Sequence, residues 1–424
     1  VIDPFPPAFL ALNAGLAALA RLTLFGIQTT FPSSAPYRLD QVMGAPVLLT
    51  VLTLGQVLMA VLLQTFARPG QRKFWWLAAI MMLLLTFIFF TLASWGTSDI
   101  TKLNHFFALQ RDGGTSGEPL WWLIGPLIPW LPYRMATIHG LVACAYCATA
   151  ILLGRAWNLP AWSGWWALLI TGSPMLRSFL HNGISRQALA VLLLLPLFLR
   201  LADLLPIRRW QVGLGVLLSA GCHTTFPFSV AMAASPWLIS GRSILVPSFR
   251  RQRWWWLVLP VLLVSLAGIV PFAWQKLHTY IFQISFFSHY PIKPPVQHLQ
   301  QAMLVGFLGV CWQRRLGPVQ LWSCSLTRLL AFFATAYIGL QTAVRQEWLA
   351  SIAFRLSDGV GFFLLILFIA WLRHYNAMTW LLPAIIVTLH YWLVMRVLPS
   401  GAIPCGRNDE FLCIPDRLPW QVRY

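Results

Sequence analysis

Residues 74–96 read FWWLAAIMMLLLTFIFFTLASWG, with no charged side chain, directly after the basic run RPGQRK at 68–73. About 20 apolar residues suffice for a helix to cross the hydrocarbon of a bilayer. The stretch therefore reads as a span with cations and tryptophans at its entrance. Working outward, the same pattern recurs. Apolar segments near 8–29, 42–65, 134–154, 161–176, 187–204, 210–223, 225–240, 254–275, 299–313, 322–343, 348–372 and 377–397 bring the expected total to about 11–13 spans, depending on how the shortest are counted.

Composition points the same way. Of 424 residues, 58% are hydrophobic and 10% charged, where soluble domains carry about 25% charged residues. Thirty Lys+Arg against eleven Asp+Glu give a net charge of +19. These cations punctuate apolar segments, so they read as interfacial residues contacting membrane lipids, and no nucleic-acid partner is expected. No GxxxxGK[ST], GxGxxG or GxSxG motif occurs, and no cluster has metal-ligand spacing. Neither a cofactor nor a metal is expected. Cys144 and Cys147 lie three apart on an apolar helix and read as packing residues. The opening VIDPFPPAFL lacks the basic region of a signal peptide, and Val1 reads as an alternative start or a trimmed end.

Orientation follows from Lys and Arg in short loops. With 67–73 cytoplasmic, every second loop is short and basic: Arg155; Arg208 and Arg209; Arg242, Arg250, Arg251 and Arg253; Arg314 and Arg315; Arg373. None of these loops is expected to hold an acid. Asp40, Asp99, Asp112, Glu118, Glu347, Asp358, Asp409, Glu410 and Asp416 fall on the other side. The chain thus divides into a polytopic membrane domain, 1–399, with outer loops 97–133 and 276–298, and a short outward-facing tail, 400–424. In an oxidising compartment Cys405 and Cys413 of that tail are able to pair. The 23 Trp cluster at segment ends as an interfacial belt. Trp121 and Trp122, facing outward, are the pair placed to contact a sugar.

Four stretches on the outer side carry candidate chemistry. In SPMLRSFLHNGISRQALAVLLL (173–194), Arg186 falls in the first turn of a helix, where a cation is unfavourable unless an anion is nearby. Ser185 as N-cap, the backbone N–H groups and Arg186, with Arg177 close in sequence, form a plausible phosphate cradle. The competing reading is that Arg186 snorkels to the interface. In EWLASIAFRLSDGVGFF (347–363), Arg355 lies about two turns inside a span, where it is a functional candidate or the partner of Asp358. Arg345 lies just outside that helix. In SAGCHTTFPFS (219–229), His223 sits at an outer turn and is either a satisfied polar residue or a general base. In TSDITKLNHFFALQRDGGTSGEPLWWLIG (97–125), Asp99 closes a span and Glu118 precedes an apolar, re-entrant-like stretch, so both border any outer cavity unless they are simply solvated.

Taken together, NGISRQALAVLLLLPLF (182–198), the later SAGCHTTFPFS, the loop holding Asp99 and GEPLWW, and EWLASIAFRLSDG resemble EpsG/Wzy-type bacterial polysaccharide polymerases over about 95–375. Where that family commonly has a Tyr a few residues after the loop Asp, this chain has Asn104 and His105. The resemblance implies an all-α, polytopic transmembrane helical bundle, GT-C-like in architecture, in the bacterial inner membrane with its site facing the periplasm or exterior. It implies polymerisation of undecaprenyl-pyrophosphate-linked oligosaccharide repeat units into exopolysaccharide, capsule or O-antigen, alongside a flippase and a chain-length regulator. Arg186, Arg355, Arg177 and Arg345 would hold pyrophosphate, and His223, Asp99 or Glu118 would serve the acceptor hydroxyl. Two rivals stay open: a GT-C-type glycosyltransferase using a polyprenyl-phosphate sugar, and a flippase or transporter of lipid-linked glycans.

Overall fold

The computed structural model describes residues 44–94, 118–131, 135–172, 185–223, 226–237, 294–343 and 350–390. Among them every regular element is a helix and there is no strand. In chain order these are α1 (Gly44–Thr65), α2 (Arg72–Ser94), α3 (Pro119–Ile124), α4 (Met135–Ala156), α5 (Ser163–Gly172), α6 (Ser185–Leu193), α7 (Leu195–Leu201), α8 (Arg209–Cys222), α9 (Phe226–Ala234), α10 (Pro294–Arg314), α11 (Pro318–Ser323), α12 (Ser325–Ala343), α13 (Ala350–His374) and α14 (Leu381–His390). Three stretches are long and apolar enough to cross a membrane: Arg72–Thr91, Met135–Ala156 and Leu356–His374. The apolar Thr50–Thr65 is shorter. The expected spans 8–29 and 254–275, the tail with Cys405 and Cys413, and the loop residues 97–117 and 276–293 lie outside the described residues.

Two expected spans are broken. The segment 187–204 divides at Leu194 into α6 and α7. Pro196 is responsible: it has no N–H for the carbonyl four residues earlier, and its ring crowds that carbonyl. The segment 322–343 divides at Cys324, which is extended (φ −75°, ψ 121°) between α11 and α12. Conversely, α10 starts at Pro294, inside the expected loop 276–298. Proline is well suited to a first helical turn, where no intrahelical donor is needed.

The chain forms two compact units, one drawn from 1–114, 124–185 and 383–424, the other from 115–123 and 186–382. In the first, small residues let helices approach closely. A Cβ on Gly140 of α4 would overlap the Thr91 side chain and come within 2.9 Å of the Phe87 carbonyl oxygen on α2. One on Gly164 of α5 would lie 2.6 Å from the Ala60 Cα of α1. Polar side chains close the same interfaces. Gln56 donates to Thr86 Oγ1 (3.1 Å), and the Cys144 thiol donates to the Leu83 carbonyl (3.1 Å). Cys147 is buried beside Thr86. Both thiols thus take the packing role that their spacing suggests. At the basic end of this unit the Arg155 guanidinium stacks 4.7 Å from the Trp76 ring, a cation–π contact.

Among the described residues, four helices close on a left-handed residue other than glycine. Asn158, Asp203, Arg315 and Asn376 adopt left-handed backbone (φ 58°, 58°, 49° and 50°) one or two residues beyond helix ends. After each, an N–H reaches back five residues, as from Leu159 to Gly154 and from Leu204 to Leu199. This is the hydrogen-bonding signature of a Schellman cap. The last turns of the same helices hold Arg155, Arg200, Arg314, and Arg373 with His374, cations placed against the negative helix ends. Asp203 corrects one expectation. With α7 ending at Leu201, it sits in the turn leading to Arg208 and Arg209, so that basic loop does contain an acid.

These contacts predict an asymmetry between identical substitutions. Gly140→Ala must push α2 and α4 apart and should cost about 1–3 kcal/mol. Gly213→Ala on α8 meets nothing within 4 Å and should be neutral or stabilising by up to ~1 kcal/mol. Thermal unfolding of the two purified variants in detergent checks both signs.

Candidate functional site

The candidate site is assembled in the second unit by the register of α6 against α8. Ser219 of α8 donates its hydroxyl to the Ala190 carbonyl of α6 (2.8 Å). One turn earlier, Gly215 lies so close to α6 that a Cβ would strike the Leu193 carbonyl oxygen. Rising along α8 therefore means descending α6, so the helices are antiparallel. Four residues beyond Ser219 comes His223, and four before Ala190 comes Arg186. Small residues at i and i+4 permit the close approach, and His223 at i+8 is delivered to the N-terminal end of α6. The outward side of α8 carries large apolar residues, Trp210, Leu214 and Leu217, all exposed. Small side chains inward and large apolar ones outward is the packing that lipid favours.

A third element brings the carboxylate. Glu118 immediately precedes Pro119, which starts the one-turn helix α3, and the Glu118 carbonyl accepts the Trp121 N–H (3.0 Å). The Trp121 indole N–H then donates to the Cys222 carbonyl at the end of α8 (2.8 Å). A Cβ on Gly221 would lie 3.5 Å from Leu120, so the two elements touch there as well. With α3 tied to the end of α8, the Glu118 carboxyl reaches between the two other side chains. Its Oε2 is 2.5 Å from Arg186 Nη1, and its Oε1 is 3.9 Å from His223 Nε2. The Glu118 side chain is 2% exposed and that of Arg186 19%.

A carboxylate taken out of water requires a cation and hydrogen bonds. Arg186 supplies both through a charge-assisted bond. This answers the helix-terminus problem at Arg186: the anion that makes a cation tolerable in the first turn of α6 is Glu118. His223 is buried beside the same carboxylate. The cluster presents a partly exposed guanidinium to which an anion can bind, with an imidazole 3.9 Å from the paired carboxylate as a candidate proton acceptor.

Three of the residues singled out by sequence thus come together: Glu118, Arg186 and His223. Asp99, Arg177 and Arg345 lie outside the described residues, as do the side chains of Trp122 and Arg355. Arg355 is placed by its backbone on α13, four residues before Gly359. A Cβ on Gly359 would lie 3.3 Å from Val191 of α6 and 3.0 Å from Met232 of α9. Two expectations need correction. Trp121 has no face for a sugar to stack on: it is completely buried, and its N–H is committed to Cys222. Ser185, expected to cap α6 through its hydroxyl, has a buried Oγ that makes no hydrogen bond. The residues that sequence reasoning misses are Gly215 and Ser219. Their signal is the pattern small-xxx-small-xxx-His at 215, 219 and 223.

No protein-family model, no curated protein and no solved structure matches this chain.

Unequal burial within the ion pair predicts unequal losses. Arg186→Gln strands a buried carboxylate and should destabilise the fold by about 3 kcal/mol or more. Glu118→Gln leaves a guanidinium that still reaches water and should cost less. The double variant should recover part of the Arg186→Gln loss. Denaturation of the wild type and the three variants in one detergent gives the coupling energy directly.

Proposed function

We propose that the chain is a membrane-embedded polysaccharide polymerase that joins undecaprenyl-pyrophosphate-linked oligosaccharide repeat units at the outer face of the bacterial inner membrane. The observation that carries the reading is the convergence of Arg186, Glu118 and His223 from three separated segments. That combination of a cation with a proton-accepting pair is what the reaction needs. The sequence resemblance supplies the substrate class. On this reading the bundle is polytopic and GT-C-like, with about 11–13 spans, and the site opens outward.

The growing chain is attached through its anomeric carbon to the pyrophosphate of the carrier. The incoming repeat unit presents a sugar hydroxyl. As the hydroxyl oxygen bonds to the anomeric carbon, the bond from that carbon to the pyrophosphate oxygen breaks, and its electron pair leaves with the pyrophosphate. Arg186 meets the charge that develops there, joined on this reading by Arg355. A pyrophosphate leaves with little need of a proton, so cations matter more than an acid. The hydroxyl does lose a proton, and His223 takes it. Glu118 Oε1 stabilises the imidazolium so formed, while Oε2 keeps Arg186 in place. The carrier tails lie along the apolar helix faces.

A GT-C-type transferase would use similar groups on a monophosphate sugar donor, and a flippase would move the lipid-linked repeat without chemistry. Sizing the lipid-linked oligosaccharides of a deletion strain by mass spectrometry separates the three. Complete single repeats outside, with no long chains, are the expected result. A repeat lacking one sugar would indicate a transferase, and complete repeats trapped inside a flippase. In the complemented strain, Arg186→Ala should abolish elongation while the protein still inserts. Polymer of unchanged length would remove Arg186 from the mechanism.

A further inference from the structure

A second assembly of cations lies in the same unit, where α10 and α13 end and α12 begins. Three hydrogen bonds make this end a single piece. Arg314 Nη2 donates to the Asn376 carbonyl (3.0 Å), and Trp380 Nε1 donates to Gln313 Oε1 (2.8 Å). Trp371 Nε1 donates to Thr327 Oγ1 (2.9 Å), tying α13 to the first turn of α12. Arg314, Arg315, Arg328, Arg373 and His374 are thereby carried on one end of three helices, and all are exposed. No Asp or Glu occurs in 311–330 or 371–390.

The cluster has an apolar rim. Trp312 is 87% exposed, and Val319 and Trp322 are exposed beside it in sequence. Leu304 and Leu308 continue the exposed apolar surface along α10. Depth in the bilayer is set by α13, because the apolar stretch Leu356–His374 ends at these cations. If that stretch crosses the hydrocarbon, Arg373 and His374 arrive at the level of the lipid phosphates, with the tryptophans in the interfacial layer that suits their rings. A soluble acidic partner would match the charge but would leave the apolar rim in water.

We infer that this end of α10, α12 and α13 is a binding site for an anionic phospholipid, with the lipid phosphate met by Arg315, Arg328 and Arg373 and the glycerol and upper acyl region lying against Trp312 and Trp322. Guanidinium groups suit this task because they present planar pairs of donors to phosphate oxygens. Arg314, whose guanidinium bonds the Asn376 carbonyl, serves to hold the end together. The site is separate from the Glu118–Arg186–His223 cluster in its residues and does not depend on the reaction proposed for that cluster.

The test uses the full-length protein in neutral detergent, titrated with phosphatidylglycerol or phosphatidylcholine and read by native mass spectrometry. The triple variant Arg315→Gln, Arg328→Gln, Arg373→Gln is compared with Arg68→Gln, Arg72→Gln, Lys73→Gln, which removes the same charge from the first unit. Juxtamembrane cations each contribute enough that losing three should weaken phosphatidylglycerol binding roughly a hundredfold. Phosphatidylcholine binding should be unchanged, and high salt should narrow the difference. Equal phosphatidylglycerol retention by wild type and the first variant would overturn the site. An equal loss in both variants would also overturn it, since the effect would then be one of net charge. The unfolding midpoint is followed alongside. Should the triple variant unfold, Arg315→Gln and Arg328→Gln are measured singly. Each is expected to lose roughly fivefold, and unchanged binding in both would overturn the site equally.

Discussion

The arrangement around the candidate site depends on one buried carboxylate. Glu118 is almost wholly removed from water, and a carboxylate in that position is stable only with a cation against it. Arg186 is that cation, and its own position in the first turn of α6 is otherwise unfavourable. Each residue therefore removes the other's penalty. The pair also connects two parts of the chain, 115–123 and the start of α6, that are far apart in sequence. His223 completes the cluster through the small-residue register of α8. A substrate anion arriving at Arg186 would compete with Glu118 for the same guanidinium.

Within each unit the helices pack as helices in lipid are expected to pack. Large apolar side chains such as Trp210, Leu214 and Leu217 are exposed, while Gly215, Ser219, Ser229 and Ala233 are buried. With no hydrophobic force to drive helix against helix, close approach and hydrogen bonds to carbonyls and hydroxyls hold the interfaces. Ser219 on Ala190, Trp121 on Cys222 and Gln56 on Thr86 are of that kind. The helix ends are equally regular. Four are closed by left-handed Asn, Asp or Arg residues with cations in the preceding turn, which stabilises the carbonyl ends and concentrates positive charge where anionic lipid phosphates would lie.

Much of this is readable from the sequence, though unevenly. Absence of charge over 74–96 marks α2, and long, predominantly apolar runs mark α4 and α13, the latter despite Arg355 and Asp358 near its start. The helix breaks escape such a reading, although Pro196 marks one of them plainly. Hydropathy averages over a window and is blind to a single missing N–H. Arg186, His223 and Glu118 are each conspicuous as polar groups in unfavourable places, yet their meeting is not deducible. It depends on the pitch of α8 against α6, and hence on two small residues that carry no chemistry of their own. Trp121 departs from its expected place because an indole beside an outer loop can face either way. The hydrogen bond to Cys222, one hundred and one residues away, decides it.

The central claim is that Glu118, Arg186 and His223 occupy one site. Paired-cysteine cross-linking in native membranes tests it most directly, in a background whose own cysteines are replaced. Glu118→Cys with Arg186→Cys, and Glu118→Cys with His223→Cys, should each be joined by a short bifunctional thiol reagent. The control is Gln313→Cys with Trp380→Cys, whose native side chains bond at 2.8 Å. Cross-linking of the control and both site pairs is the predicted result. A linked control with neither site pair linked would contradict the assembly of the site.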